Sequence, residues 1–441
     1  MRHTKLLIIS GVTTTALGIA GMVGNRLLQR VMATHYPVPV MRLLEEERIR
    51  HYPILLLFVG ISLLLFGLVE VGKLRIPLFN LPRKTILTVL IAGGILISLR
   101  DWRYYGSPVW DGFGDFSRYF YHLIFQPGRD SLASFNTFIH QYAHSGSPLG
   151  PFLIGLLNGV IRDITLSYMI LMGLATIGTA LILKRIISRF YRLPDGYSRD
   201  YLILFFSHCL VMRSLFFPQM DALVMFWSNL YIYLAYLYLL QGKGIYLYLA
   251  SAVITAAILT KVNGFFLIPL LPAAYILIGW REKKFRGGEL VKSLFYTAII
   301  PLGLFLFYLW RLQLLENVIH ELSLRGMVDG SGIRFDHNPK LFLIACLIAF
   351  QIYPYLIWTK ENYKNKAATL PALFVFITLA CLIFSSAPFF LRFFLPIIPS
   401  ILLLSIPKLE SIRRTRPRLV NLVILWMIVF NYLILFLHLY Y

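Results

Sequence analysis

Charged residues are scarce in this chain, and acidic residues are the scarcest. Only 14% of the 441 residues are charged, whereas 58% are hydrophobic and the mean hydropathy is +0.71. Soluble domains usually carry about 25% charged residues. Stretches such as 54–69, 369–391 and 419–437 contain almost no charge and approach the ~20 residues that cross a bilayer as a helix. The composition therefore predicts an integral membrane protein and excludes a separate soluble domain.

Cysteines, linkers and repeats are also nearly absent. The three cysteines, Cys209, Cys346 and Cys381, fall within predicted helices and have no metal-ligand spacing. The sequence shows no Ser/Gly linker, no low-complexity tract and no clear internal repeat. The lack of repeats argues against a transporter built from inverted repeats.

Long apolar runs fill most of the chain and predict an all-α, polytopic membrane protein with about 13 transmembrane helices. Residues 1–84 are expected to form an N-terminal helical pair, and residues 85–441 the larger transmembrane bundle. The segment 149–161 is too short to span and is expected to be a surface helix in a long external loop. The predicted spans lie near 5–24, 54–72, 85–99, 164–187, 200–216, 221–240, 245–260, 264–279, 293–310, 341–358, 370–387, 389–406 and 419–440.

The distribution of basic residues predicts the orientation. With a cytoplasmic N-terminus, the inside segments contain well over half of the 42 Lys and Arg residues, as the positive-inside rule requires. We therefore expect a multi-pass plasma (inner) membrane protein whose C-terminus and loops 100–163 and 311–340 are external or periplasmic. The net charge of +22 reflects this topology, and no nucleic-acid partner is expected.

The external loop 100–163 contains two acids four residues apart, Asp111 and Asp115, among aromatic residues. On a helix the two carboxylates would share one face, and in a Gly-rich turn they could converge on one bound group. A carboxylate partly desolvated by aromatic rings is suited to accept a proton from an alcohol. The alternative is a solvated interfacial loop with an aromatic belt.

Four further charged residues lie at the predicted outer ends of helices: Arg213, Asp221, Lys261 and Arg392. Each has an ordinary explanation, because Asp221 is a good helix N-cap residue and the cations could extend to lipid head groups. An arginine at this depth could instead hold a phosphate.

Five segments occur in an order that resembles the membrane-integral type C glycosyltransferases, which use polyprenyl-phosphate-linked sugars. This superfamily includes protein O-mannosyltransferases, lipid A aminoarabinose transferases and GPI mannosyltransferases. The resemblance covers about residues 85–410, and the order carries most of its weight. The segments are WDGFGDFSRYF, HSGSPLGPFL, RSLFFPQMDAL, LTKVNGFFLIPLLP and LRFFLPIIP.

The resemblance implies catalytic and phosphate-binding roles for particular residues. Asp115 would be the catalytic base, with Asp111 as the other candidate. Lys261 and Arg392 would bind the donor phosphate, and Asp221 would be the acid of the second external loop.

Three other residues are candidates for substrate binding. Arg213 precedes Asp221 in the second external turn. His144 lies where many members have His-Pro-Pro, although Ser-Gly-Ser precedes the proline here. His337, in DHNPKLF, resembles a late external His-Pro element that would contact donor or acceptor; an ordinary loop histidine is the alternative.

The implied reaction is inverting transfer of a sugar, such as the hexose mannose, from a polyprenyl-phosphate donor to a hydroxyl acceptor. A lipid-linked glycan or another membrane-surface acceptor is expected, since no soluble domain is present to bind a protein. The sequence contains no DxD motif or histidine cluster that demands a cofactor, and a divalent metal shared by Asp115 and Asp221 is an open alternative.

Two other functions stay open. A lipid or solute transporter would place ionisable residues at mid-membrane, where Glu70, His208 and Arg213 are the main candidates. A polytopic acyltransferase would need an interior histidine with an Asp or Asn partner, and His208 is the one candidate in the predicted helices.

Overall fold

The computed structural model describes most of the transmembrane bundle. Within this part of the chain every regular element is a helix and no strand occurs. The described residues are 8–20, 54–71 without 55, 66 and 70, 82–105, 148–215, 220–283, 287–311, 346–357 without 347, 362, 365–383 and 391–436.

The α-helices are numbered in chain order. They are α1 (Ile8–Ala20), α2 (Leu56–Val69), α3 (Arg83–Tyr105), α4 (Leu149–Ile161), α5 (Ile164–Phe190), α6 (Asp195–Ser207), α7 (Cys209–Ser214), α8 (Asp221–Gln241), α9 (Ile245–Thr260), α10 (Leu270–Glu282), α11 (Gly287–Leu294), α12 (Ile300–Arg311), α13 (Tyr353–Ile357), α14 (Thr369–Ile383), α15 (Ile398–Thr415) and α16 (Pro417–Phe436). Short 3₁₀ helices at Val262–Leu267, Lys366–Ala368 and Leu391–Ile397 precede α10, α14 and α15, and a π-helical turn, Phe295–Ile299, joins α11 to α12.

The protein is a polytopic helical membrane protein. In the described part of the chain, six helical stretches are long and apolar enough to cross a bilayer: Ile164–Phe190, Asp221–Gln241, Asn263–Glu282, Gly287–Trp310, Phe393–Thr415 and Pro417–Leu435. Each overlaps one predicted span, although the observed bounds differ, as for Phe393–Thr415 against 389–406. Shorter apolar helices occupy Ile8–Ala20, Leu56–Val69, Leu149–Ile161, Ile245–Thr260 and Lys366–Leu382. The predicted helix at 149–161 is confirmed with the same bounds.

The chain path defines two ends of the bundle. Helix α8 starts at Asp221 and ends in the left-handed Gly242, and α9 returns antiparallel to Thr260. Asp221 and Lys261 therefore lie at the same end, which we call the Asp221 end. We call the opposite end the Asp200 end. It contains the C-terminus of α5, because Phe190 stacks at 4.5 Å between ring centroids on Tyr236, which lies near the C-terminus of α8.

Charged side chains join three helices, α3, α6 and α15, at the Asp200 end. The carboxylate of Asp200 accepts from Arg83 Nε at 3.0 Å and from Arg413 at 2.8 Å. Arg413 also lies 3.1 Å from Glu410, which accepts from the hydroxyl of Tyr201 at 2.9 Å. Two bases and two acids thus balance one another where water is mostly excluded, as buried charges require.

The predicted span 200–216 is not one continuous helix. It is interrupted at His208, whose backbone is extended (φ −67°, ψ 128°), so that α6 ends and the six-residue α7 begins. No proline or glycine causes the interruption. Instead, Asn431 of α16 accepts a hydrogen bond from the backbone N–H of Cys209 at 2.7 Å, and Gln351 donates to the same Asn431 oxygen at 2.7 Å.

Helices α1 and α2 pack in very close antiparallel contact. A Cβ atom added at Gly60 would lie 2.4 Å from the backbone nitrogen of Thr15. A Cβ atom added at Gly18 would lie 2.6 Å from the backbone nitrogen of Leu57. Small residues permit such approach between membrane helices. Arg416 donates to the carbonyl of Val69 at 3.0 Å, so the pair is attached to the start of α16.

Candidate active site

Asp221 and Lys261 form an ion pair at the Asp221 end of the bundle. Lys261 Nζ lies 2.7 Å from Asp221 Oδ1, and the two side chains are 22% and 2% exposed. The ammonium therefore turns inward, which differs from a lysine that extends to lipid head groups. Asp221 is the first residue of α8 rather than its N-cap, which is Met220. The ordinary explanations for both residues thus do not fit.

The turn that carries Lys261 depends on a close backbone approach. Lys261 ends α9 in an extended conformation, and the 3₁₀ helix Val262–Leu267 folds back at once. A Cβ on Gly264 would lie 2.4 Å from backbone atoms of Ala257 and Ile258, so only glycine fits there. Gly264 N–H also donates to the carbonyl of Lys261 at 2.8 Å. The glycine of the Lys-Asn-Gly sequence is thus required for the turn that directs Lys261 toward Asp221.

Hydrogen bonding also joins α8 to α9 just behind the ion pair. Trp227 of α8 donates to the hydroxyl of Thr260 at 3.1 Å, and Thr260 donates to the carbonyl of Ala256 at 2.7 Å. Thr260 immediately precedes Lys261, so the indole fixes the end of α9 relative to α8.

The 3₁₀ helix Leu391–Ile397 brings the late arginine segment to the same place. The ring of Phe393 lies under the ammonium of Lys261, 4.8 Å from its centroid, and the 3₁₀ helix packs against α8. An aromatic face attracts a cation by about 0.5–2 kcal/mol, more when the pair is desolvated. Arg392 is the neighbour of Phe393 in sequence, so its backbone lies beside the ion pair. Its side chain is outside the described atoms.

Arg213 reaches the same end through the interrupted helix. It occupies the last turn of α7 and is only 5% exposed. Helix α7 packs against the 3₁₀ helix Leu391–Ile397 and against α3. A guanidinium enclosed in this way differs from one that extends to head groups, and buried cations in membranes usually serve a pathway or a binding site.

Helix α3 leads toward this site. It starts at the Asp200 end, where Arg83 binds Asp200, and its 23 residues rise about 35 Å to Tyr105. Gly94 allows close packing on α7, since a Cβ there would lie 3.2 Å from the carbonyl of Met212. The C-terminus of α3 therefore lies toward the Asp221 end.

The short helix α4 covers one side of the site. A Cβ on Gly150 would lie 2.5 Å from the sulfur of Met220, the residue before Asp221. Helix α4 also packs against α5 and α9. The described part of the HSGSPLGPFL segment, from Pro148 onward, therefore begins a helix that packs against the residue before α8.

Four predicted site residues lie outside the described part of the chain: Asp111, Asp115, His144 and His337. Their roles stay predictions. Among the described residues, the structure brings Asp221, Lys261 and the segments of Arg213 and Arg392 to one end. Sequence reasoning missed Phe393 and Trp227, which look like ordinary membrane aromatics until their partners are known.

The described residues contain neither a cluster of metal-ligating side chains nor a histidine with free ring nitrogens in the bundle interior. Within the described residues, no group of three or more His, Cys, Asp or Glu side chains is close enough to hold a metal ion. His208 is buried, with Nε2 3.1 Å from the carbonyl of Ala349 and Nδ1 accepting from the N–H of Leu210 at 3.3 Å. Both ring nitrogens thus contact the backbone, which favours a structural role.

No protein-family model, curated protein or solved structure matches the chain.

Proposed function

We propose that the protein is a membrane glycosyltransferase that uses a polyprenyl-phosphate sugar donor. It transfers a hexose such as mannose, with inversion, to a hydroxyl of a lipid-linked glycan or another membrane-surface acceptor. The proposal adopts the resemblance to the type C glycosyltransferases as its working hypothesis.

The observation that carries the proposal is the convergence of separate sequence segments at one end of the bundle. The inward Asp221–Lys261 pair, at 2.7 Å, lies beside Phe393 and therefore beside the backbone of Arg392. Arg213 is in the α7 helix that packs on the same 3₁₀ helix. Lipid-facing cations with independent roles would not require this convergence, whereas an anionic group bound at one site would.

The chemistry follows from the residues. A sugar on a lipid phosphate has a good leaving group, so the demanding step is deprotonation of the acceptor hydroxyl. Asp115, or alternatively Asp111, accepts that proton as the oxygen attacks the anomeric carbon and the bond to the phosphate breaks. Lys261 and Arg392 stabilise the charge that grows on the departing phosphate. A single displacement of this kind inverts the anomeric centre.

The membrane arrangement is part of the proposal. Thirteen crossings with a cytoplasmic N-terminus in the plasma membrane would put the Asp221 end on the external face. The same orientation would put the Asp200 end, with its many basic residues, in the cytoplasm. The loop 100–163 would then face the external leaflet together with Lys261.

The two other functions receive less support. Each ring nitrogen of His208 contacts a backbone group, so neither is available to an acyl group without rearrangement. Of the described residues that a transporter could use, His208 is held by backbone contacts and Arg213 belongs to the Asp221 end. A transporter would need a charged pathway between the two ends.

The decisive experiment is incubation of purified protein in lipid nanodiscs with a panel of polyprenyl-phosphate sugars. Release of free polyprenyl phosphate is measured with EDTA and with added Mg²⁺ or Mn²⁺. We expect release from one donor by the wild-type protein and none by the double variant Lys261→Met with Asp221→Asn. No release from any donor would exclude the proposed function.

A further inference from the structure

The interruption between α6 and α7 is maintained by polar side chains from distant parts of the chain. A break in a membrane helix frees backbone groups that cannot bind water, and each one costs several kcal/mol if it is left unsatisfied. Here the freed N–H of Cys209 donates to Asn431 Oδ1 at 2.7 Å, and the N–H of Leu210 donates to His208 Nδ1 at 3.3 Å.

Asn431 is itself fixed by a reciprocal pair of hydrogen bonds with Gln351. Gln351 Nε2 donates to Asn431 Oδ1 at 2.7 Å, and Asn431 Nδ2 lies 3.2 Å from Gln351 Oε1. Both side chains are buried, with Asn431 0% exposed. Two segments therefore determine where α7 begins, and α7 begins four residues before Arg213.

Helix α7 touches two elements of the proposed site and carries one of its candidate residues. It packs on α3 through Gly94, and α3 leads to the loop with Asp115. It also packs on the 3₁₀ helix Leu391–Ile397, and it carries Arg213 itself. A helix that continued unbroken through 208 would change both the direction and the rotation of Arg213.

We propose that Asn431 and Gln351 are positioning residues for substrate binding, which hold α7 so that Arg213 faces the donor site. They act through the backbone of Cys209 and do not touch the substrate. The kinetic test of this inference rests on the proposed function. Such a test is sensitive, because misplacement of a binding group by about 1 Å can reduce a rate about 100-fold. The inference also has a structural test that requires no activity.

The kinetic test compares Asn431→Leu, which removes the acceptor of the Cys209 N–H, with Asn431→Asp, which retains an acceptor oxygen. We expect Asn431→Leu to raise the donor KM about tenfold or more with a smaller change in kcat, and Asn431→Asp to restore most of it. Combined with Arg213→Gln, Asn431→Leu should add little, because both changes act on one guanidinium. Additive effects, or an unchanged donor KM, would overturn the proposal.

The matched control is Asn421→Leu, on the same helix α16 but at the Asp200 end, where Asn421 accepts from Arg83 at 2.8 Å. It should lower stability without changing the donor KM. If Asn431→Leu does not accumulate in the membrane, Gln351→Leu provides the same test, since it removes the reciprocal partner.

The structural test measures maleimide labelling of Cys209 by mass spectrometry in a Cys346→Ser, Cys381→Ser background. Cys209 is buried and should be protected in the parent and in Asn421→Leu. We expect faster labelling in Asn431→Leu. Unchanged protection there would overturn the proposal even if sugar transfer is observed. Absence of transfer by the parent would overturn only the proposed function, since the labelling result does not depend on it.

Discussion

The ammonium of Lys261 lies 2.7 Å from the carboxylate of Asp221, 40 positions earlier in the chain. Two consecutive helices, α8 and α9, bring these residues together. The pair is mostly enclosed, so removal of either charge is expected to lower the stability of the protein as well as its function.

The first concerns the ion pair. Lys261→Met removes the ammonium from a carboxylate that is 2% exposed, which should cost about 3–5 kcal/mol. The double variant Lys261→Met with Asp221→Asn removes both charges and should recover most of that loss. Thermal unfolding in detergent measures both. Lys292→Met is the control, since Lys292 is exposed and its pair with the half-buried Glu289 should contribute at most about 1 kcal/mol. Equal destabilisation by the single and double variants would contradict the prediction.

The second concerns the catalytic base. Asp115→Asn keeps the size of the side chain but removes its ability to accept a proton. Transfer should fall about 100 to 10,000-fold while donor binding is retained. The paired variant is Asp111→Asn. A large loss in Asp111→Asn alone would reverse the assignment, and full activity in both would show that this loop is not catalytic.

The third concerns Arg392. A guanidinium binds phosphate through two parallel hydrogen bonds, whereas lysine offers a point charge, so Arg392→Lys should raise the donor KM despite the retained charge. Arg392→Ala should raise it further and affect acceptor use less. Arg414→Lys is the control, because Arg414 is exposed at the opposite end. Donor titrations with unchanged KM in both Arg392 variants would indicate that this arginine only contacts lipid head groups.

The fold class could be predicted because composition and run length alone decide it. That Asp221 and Lys261 share an end was also predictable, since only residues 241–244 separate the predicted helices 221–240 and 245–260, and so short a connection makes them antiparallel neighbours. The inward direction of Lys261 was not predictable, because Phe393 lies more than a hundred residues further along. Local sequence contains no sign of that contact.

The interruption at His208 was unpredictable for the same reason. Residues 200–216 contain neither proline nor glycine, so their pattern favours a continuous helix. The groups that satisfy the break come from Asn431, 222 residues after Cys209. Tertiary hydrogen bonds here override local helix propensity.

The fourth prediction concerns the turn after α9. Gly264→Ala would bring a methyl group within 2.4 Å of the Ala257 backbone, so the turn must move. We expect a loss of about 1–3 kcal/mol in stability and loss of donor binding, because Lys261 moves with the turn. Gly244→Ala is the control: no atom lies within 4 Å of a Cβ there, and stability should change by less than about 1 kcal/mol. Equal donor KM values in the two variants would show that the turn does not position Lys261.

The fifth concerns orientation. In a cysteine-free background, Ser131→Cys in the loop 100–163 should react with an impermeant maleimide in intact cells. Ser188→Cys, near the Asp200 end, should react only after permeabilisation. The opposite labelling pattern would reverse the proposed topology and put the site in the cytoplasm.

The charges at the Asp200 end have a consequence for biosynthesis. Arg83 lies 117 residues before Asp200. The positive charge that balances Asp200 has therefore already been synthesised when α6 emerges from the ribosome. Arg413 follows 213 residues after Asp200, but it emerges only three residues after its own partner Glu410. The cluster is thus added as two neutral pairs, and paired charges are less costly than single ones where water is mostly excluded. During synthesis, this end of the growing bundle does not have to carry a net charge from these four residues while the later helices are inserted.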